Sequence, residues 1–373
     1  MATLSTNTLS NYNKKSLTSA YIDGHLAVGI DLAKNVFQIC YVDVEKNELV
    51  NKAITRSELE KFLQDNKNLH VAIEACGSCH HWGRFAMNLN HRVTIIPCNY
   101  AYAASFSDKD DKRDAVRIRE YICTGQISHI RVKTKDEQAI IALISLRDRQ
   151  IKEKIRCSNQ LHAFLYEIGI TCKGGNSSVV KTAIEEKENL DKESKDSFVA
   201  LSMNKSVHII QEKLELYTKH IKEIETELTN ISDNFSEIKL LRTIPGVGTL
   251  SALCFMLAMG TPNNFPTAKH FASYMGFCPG HIGSGGKNHT LRLAKRGNIL
   301  FKKIIYQAAM ASYVYRVKKN DSTWFANIKE KNKPTKVIVC ALADKMCRVA
   351  WSVLKNKTPY DNQKGGIGYK GKI

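Results

Sequence analysis

Through residues 26–97 the apolar positions come in short runs, and beyond them at helical spacing. Leu26-Ala27-Val28-Gly29-Ile30-Asp31 and Leu69-His70-Val71-Ala72-Ile73-Glu74 have the length and β-branched content of buried strands. The pattern predicts further strands at 36–43, 48–54 and 92–97, and helices at 56–65, 80–90 and 112–124. Three early strands on short connections make an antiparallel meander, and the later ones alternate with helices, so the sheet is mixed.

From 137 to 170 the pattern becomes one long helix carrying Arg147, Arg149, Lys152, Lys154 and Arg156. A polar, charged insert is expected at about 172–197. Ala200, Met203, Val207, Ile210, Leu214, Tyr217, Ile221, Ile224, Leu228 and Ile231 then alternate at spacings of three and four, an a/d seam with Lys and Glu between. That seam predicts a coiled coil, formed with the 137–170 helix or between subunits; an amphipathic helix packed on its own domain is the plainer alternative. A C-terminal domain begins near Ile238, with helices at 249–259, 300–317 and 335–356. Its turn Pro245-Gly246-Val247-Gly248 looks like the hairpin of a helix-hairpin-helix module, in which Gly246 and Gly248 amides would meet a phosphate; a packing turn fits equally well.

Charge adds a partner. Residues 236–373 hold 23 Lys/Arg against 5 Asp/Glu, nearly all of the chain's net +19. Such a polycation calls for a polyanion, nucleic acid before a membrane surface. No apolar run reaches the roughly 20 residues of a membrane span. The polar N-terminus has no signal core, so residues 1–24 read as a flexible extension. Eleven scattered cysteines suit a reducing cytoplasm. Cys76-Gly77-Ser78-Cys79-His80-His81 contains a haem-attachment pattern and four potential zinc donors, but small residues at a strand-to-helix turn explain it better.

Four carboxylates carry the chemistry. Asp31 and Glu74 end buried strands, where a charge is costly without a partner or metal. Asp111 and Asp114 lie three residues apart at the start of a helix, on one face. Oxygen ligands from two strand ends and a helix start suit a hard divalent cation, Mg²⁺ above all, in the service of phosphoryl transfer. A second site lies at 276–298, where Ser284 stands among Gly283, Gly285 and Gly286 on an expected loop with Lys287, Arg292, Lys295 and Arg296 close by in sequence. Those residues alone fit a basic loop gripping phosphates; the sharper reading makes Ser284 a nucleophile.

The segments Val28 to Lys34, Ile73 to Gly77 and Asp108 to Ala115 resemble the N-terminal DEDD domain of the insertion sequence one-hundred-and-ten family of transposases. Ile244 to Gly248, Gly276 to Pro279, Ser284-Gly285 and Lys295 to Asn298 resemble its C-terminal domain, and the motifs keep their order over about residues 26–360. The resemblance implies an α/β plus all-α architecture. Its parts would be a flexible 1–24, a ribonuclease-H/RuvC-like domain at 25–135, a helical coiled-coil spacer at 136–236, a mostly helical transposase domain at 237–360 and a disordered tail at 361–373. It places Mg²⁺ on Asp31, Glu74, Asp111 and Asp114 and the nucleophile on Ser284. It also implies donor and target DNA, a structured guide (bridge) RNA, a homo-oligomer from dimer to tetramer, and a cytoplasmic, nucleoid-associated setting. The alternatives are a junction-resolvase-like metal nuclease, a tyrosine nucleophile at Tyr274 or Tyr306, and a non-catalytic nucleic-acid-binding relic.

Overall fold

The computed structural model describes residues 20–97, 111–125, 130–172, 176–193, 198–284, 287–294, 296–317 and 333–361. It divides into two compact units, Met1–Gln138 and Ala139–Ile373.

The first unit is built on β1 (Tyr21–Ile22), β2 (His25–Leu32), β3 (Val36–Asp43), β4 (Glu48–Thr55), β5 (Leu69–Glu74) and β6 (Arg92–Ile96). Helices α1 (Arg56–Asp65), α2 (Cys79–Asn88) and α3 (Asp111–Cys123) lie among its described residues. Strand order is β4-β3-β2-β5-β6, with β1 paired to β2. The β2–β3–β4 meander is antiparallel, and β2, β5 and β6 run parallel, so the sheet is mixed as the pattern predicts.

Residues 20–24 depart from the expected flexible extension. Tyr21 and Ile22 pair with Leu26 and His25 across a tight turn in which Asp23 and Gly24 both take positive φ, the geometry that suits a two-residue hairpin.

Strand alternation sorts the two sheet faces. Val28, Ile30, Phe37, Ile39, Val71 and Ile73 pack with Leu59, Leu63, Trp82 and Ala86, so α1 and α2 cover one face. Ala27, Ala72 and Ile96 pack with Ile118 and Ile122, so α3 covers the other. Gly29 belongs to this second face, and α3 crosses it closely: a Cβ there would lie 2.3 Å from the Ala115 carbonyl oxygen and 2.6 Å from the Arg119 amide. Only glycine permits that approach.

Among its described residues the second unit is helical apart from one hairpin. It contains most of α4 (Lys135–Glu167), then α5 (Asn176–Glu193), α6 (Phe198–Ser232), α7 (Ser236–Leu241), α8 (Thr249–Met259) and α9 (Ala268–Tyr274). The hairpin β7 (Pro279–Ser284) and β8 (Lys287–Leu293) follows, then α10 (Ile299–Val317) and α11 (Thr335–Asn356). Ser251 to Met259 are all buried, so α8 is the central helix of the larger core, apolar around its whole circumference.

Within the polar insert the described residues form α5, whose Val179 and Ala183 are buried against Leu161, Leu165 and Val207. One expectation is corrected in this unit. The glycine-rich 276–298 segment is a β-hairpin, because β7 and β8 satisfy each other's backbone groups from Pro279↔Leu293 to Ser284↔Lys287. The a/d seam lies along α6 and packs within the chain. Val207 and Ile210 meet α4 and α5, while Ile224, Leu228 and Ile231 join the larger core. Among the described residues no helix is long and apolar enough to cross a membrane.

Candidate active site

Ile30 pairs with Ile73 in parallel register, so Asp31 and Glu74, each the next residue, end up side by side on adjacent strands, roughly 4.8 Å apart across the sheet. Both lie on the α3 face, sharing parity with Gly29 and Ala72. Helix α3 runs against the direction of β2, with Ile122 and Ile118 toward Ala27 and Ala115 over Gly29. Asp31 and Glu74 lie at the carboxyl ends of two adjacent parallel strands, and Asp111 and Asp114 lie in the first turn of the helix that covers that face.

The neighbours of these acids were not anticipated. Gln38 is the cross-strand partner of Asp31 and is buried on the same face. Its amide Nε2 donates to Asn51 Oδ1 at 2.6 Å, and Asn51 Nδ2 donates to the Lys112 carbonyl at 2.8 Å. A polar bridge thus runs from the row of Asp31 through β4 to the first turn of α3, fixing where that turn sits. The available signal was Gln38 itself, an amide inside the apolar run Val36 to Val42.

All four acids offer carboxylate oxygens, the donor set of a hard divalent cation. They are not drawn into a tight cluster: among the described residues no three His, Cys, Asp or Glu side chains are close enough to form a metal group. Asp114 instead accepts from Arg117 at 3.1 Å, and Asp111 is exposed. Carboxylates brought together without a cation repel one another, and Arg117 relieves part of that charge.

Ser284 is the last residue of β7, paired with Lys287. Arg292 lies on β8, Arg296 is exposed beyond it, and Lys295 falls outside the described residues. The hairpin root is held firmly. Ala294 N–H donates to the Cys278 carbonyl at 3.1 Å, and Lys302 Nζ donates to the Ala294 carbonyl at 2.9 Å. Gly276 and Gly297, both at φ +78°, let this root close: a Cβ on Gly276 would lie 2.2 Å from the Arg296 carbonyl oxygen. Half-burial lowers the Lys302 pKa, since desolvation disfavours its charged form.

The remaining expected residues separate by role. Gly246, at φ +87°, presses on Ser312 of α10, so packing accounts for it; Gly248 opens α8 with no side chain against it. Arg147 is engaged by Glu225 of α6 at 2.7 Å, whereas Arg149 is exposed. Tyr274 packs against Phe265, and Tyr306 is packed against the larger core.

The cysteine–histidine cluster does not converge. Cys79 is buried, His80 Nδ1 accepts from the Lys133 amide, and His81 meets Arg56. Burial, with the charges of Lys133, Arg84 and Arg131, lowers the His80 pKa to about 4.

Comparison with known proteins places this geometry in context. Residues 238–324 match the family described as Transposase IS116/IS110/IS902, and residues 28–170 match a transposase domain of the DEDD type. The chain is 30% identical to the transposase for insertion sequence element IS1328 of Yersinia enterocolitica, over 89% of this chain and 98% of that one. It is 27% identical to the transposase for IS1111A of Coxiella burnetii, over 89% and 90%. It is 23% identical to the pilin gene-inverting protein of Moraxella bovis, over 90% and 98%.

Proposed function

Because the chain belongs to the IS116/IS110/IS902 family of transposases, we propose that it moves its own insertion sequence by serine attack on DNA phosphodiesters, assisted by the four acids. It is a DNA transposase, and DNA is its substrate. The observation that carries the reading is the register Ile30↔Ile73, which sets Asp31 and Glu74 side by side on the sheet face that α3 covers. The mixed sheet with acids at these positions is read as a RuvC-like domain over 25–135, followed by a coiled-coil spacer (136–236) and the transposase domain (237–360).

In this mechanism Ser284 Oγ forms a bond to phosphorus as one P–O ester bond of the strand breaks. The serine gives up its proton and the departing sugar oxygen takes one. The phosphoserine ester keeps the bond energy, so a sugar hydroxyl of another strand can attack it, rejoin the DNA and restore the serine. Asp31, Glu74, Asp111 and Asp114 would hold Mg²⁺, which when bound would supply Lewis-acid stabilisation of phosphoryl charge. Asp31 and Glu74 are preset by the sheet, and Asp111 and Asp114 by α3. Gln38 and Asn51 keep α3 in place. Lys302 braces the root of the hairpin whose first strand ends at Ser284.

Lys287, Arg292, Lys295, Arg296 and the Gly248 amide are read as contacts to DNA phosphates. Sequence would be read by a structured guide RNA pairing with donor and target DNA, which leaves the protein to recognise shape and backbone. The acids of one subunit would meet the serine of another in a tetramer. The relative named for gene inversion is consistent with cutting and rejoining rather than cutting alone.

Trapping tests the chemistry. Wild-type protein, incubated with element-end DNA and Mg²⁺ and then denatured, should carry a covalently attached strand, and Ser284→Ala should carry none. An undiminished adduct with Ser284→Ala would remove the serine from the mechanism. Loss of the adduct in Tyr274→Phe or Tyr306→Phe alone would transfer the role to a tyrosine.

A further inference from the structure

A groove of about 480 Å³ opens between α4 and the start of α10, lined by Ser145, Asp148, Arg149, Lys152, Ile299, Leu300 and Lys303. Ser145, Asp148, Arg149 and Lys152 share one face of α4, at helical spacing. Three cations face one carboxylate, leaving the groove a net charge of +2. Asp148 holds two of the cations at once, Lys303 at 2.6 Å and Lys152 at 2.8 Å. The Asp148 side chain is only 13% exposed, while those of Lys152 and Lys303 are 64% and 42% exposed. The carboxylate therefore lies beneath the ammonium groups and orders them, and each ammonium keeps donors for a second acceptor. Burial raises the Asp148 pKa, but hydrogen bonds and charge from Lys152 and Lys303 outweigh this and hold it below the usual carboxylate value.

The opposite wall is the first turn of α10, where Asn298 caps the Leu300 and Phe301 amides with its side chain. The positive end of that helix dipole faces the same region. Ile299, 86% exposed at this turn, and Leu300 supply an apolar surface beside the cations.

We propose that this groove seats a backbone phosphate of duplex DNA. Arg149, Lys152 and Lys303 hold the phosphate, Ile299 and Leu300 lie against the deoxyribose, and Asp148 keeps the two lysines in position. An apolar wall has no donor or acceptor for a 2′-hydroxyl, which favours DNA over RNA. The inference rests on the reading of the chain as a DNA-acting enzyme, and it adds an anchoring point on α4, away from the Ser284 hairpin in sequence.

The test uses the full chain, a short DNA duplex and an RNA duplex of the same sequence, over a salt series. Arg149→Gln, Lys152→Gln and Lys303→Gln combined should weaken DNA binding about tenfold or more. They should reduce the log–log salt slope by about 0.9, the value of one phosphate contact. Lys213→Gln, Lys219→Gln and Lys222→Gln, on the exposed side of α6, remove equal charge and should leave the slope nearly unchanged. If the triple groove variant loses its melting transition, Arg149→Gln alone, on an exposed helix position, serves in its place.

An unchanged slope in the groove variant, or an equal loss in the α6 control, overturns the proposal. A loss confined to RNA overturns it in favour of an RNA seat. Wild type that binds neither duplex overturns both this inference and the functional reading, whereas an unaltered groove variant beside DNA-binding wild type overturns the inference alone.

Discussion

At the residue scale, a carboxylate closing an apolar run is an exception to strand patterning, and that exception made Asp31 and Glu74 readable in the sequence. Gln38, Asn51 and Lys302 were harder to find, because what distinguishes them is a partner many residues away. Gln38 meets Asn51, Asn51 meets Lys112, and Lys302 meets Ala294 under Gly276. Asp31→Asn or Glu74→Gln should lower strand cleavage on the order of a hundredfold or more, the several kcal/mol that a bound cation supplies, with DNA affinity little changed. Lys302→Met should reduce adduct formation while leaving duplex binding near wild type, since it loosens the hairpin and not a contact with DNA; equal losses in both assays would count against that role.

A residue-scale prediction concerns pH. His70 is fully buried, with its Nε2 paired to Thr94 Oγ1 at 2.8 Å. Burial, with the charges of Arg92 and His25, lowers its pKa from 6.5 to about 4. The unfolded chain therefore binds a proton that the folded chain refuses between those values, so stability falls as pH drops through this window. The loss attributable to His70 is about 3 kcal/mol at most. Melting curves from pH 7 to about 4 should be steeper for wild type than for His70→Gln; parallel curves would show that His70 does not titrate in this window.

At the element scale, periodicity located the long helices well, since the α6 seam obeys its heptad spacing throughout. It left open what the seam packs against, because a seam between subunits and one within a chain have the same period. Here Val207 and Ile210 meet Leu161 and Leu165 of α4 and Val179 of α5. Leu161→Ala, at a fully buried position, should destabilise the chain by about 2–5 kcal/mol without changing its mass by light scattering. A change of oligomeric state would mean that the seam also joins subunits.

The glycines of the β7–β8 hairpin hide its strand propensity and make the sequence look like a loop, and backbone pairing alone makes it a strand pair. In sequence Gly29 is one residue of an apolar run, yet it sets the height of α3 over the sheet. Gly29→Ala would drive a methyl into the Ala115 carbonyl. It should cost about 1–3 kcal/mol and lower cleavage by more than its destabilisation explains, because the helix that shifts carries Asp111 and Asp114.

At the scale of the whole molecule, the uneven charge was legible at once: net +18 over residues 236–373 against +1 over the rest. If phosphate contacts from that region dominate binding, DNA affinity should drop steeply with added salt, and a flat response would detach the charge from the function. The acids lie in one compact unit and Ser284 in the other. In the proposed mechanism both are needed, so the acid group by itself is not expected to cut.

Mixing two inactive variants tests this division of labour most directly. Asp31→Asn and Ser284→Ala should each fail to form an adduct with element-end DNA. Together they should recover it, with the DNA attached only to the Asp31→Asn polypeptide, which still carries the serine. Strand cutting by Ser284→Ala alone, or no recovery on mixing, would contradict a site shared between subunits in which the acids assist and the serine makes the bond.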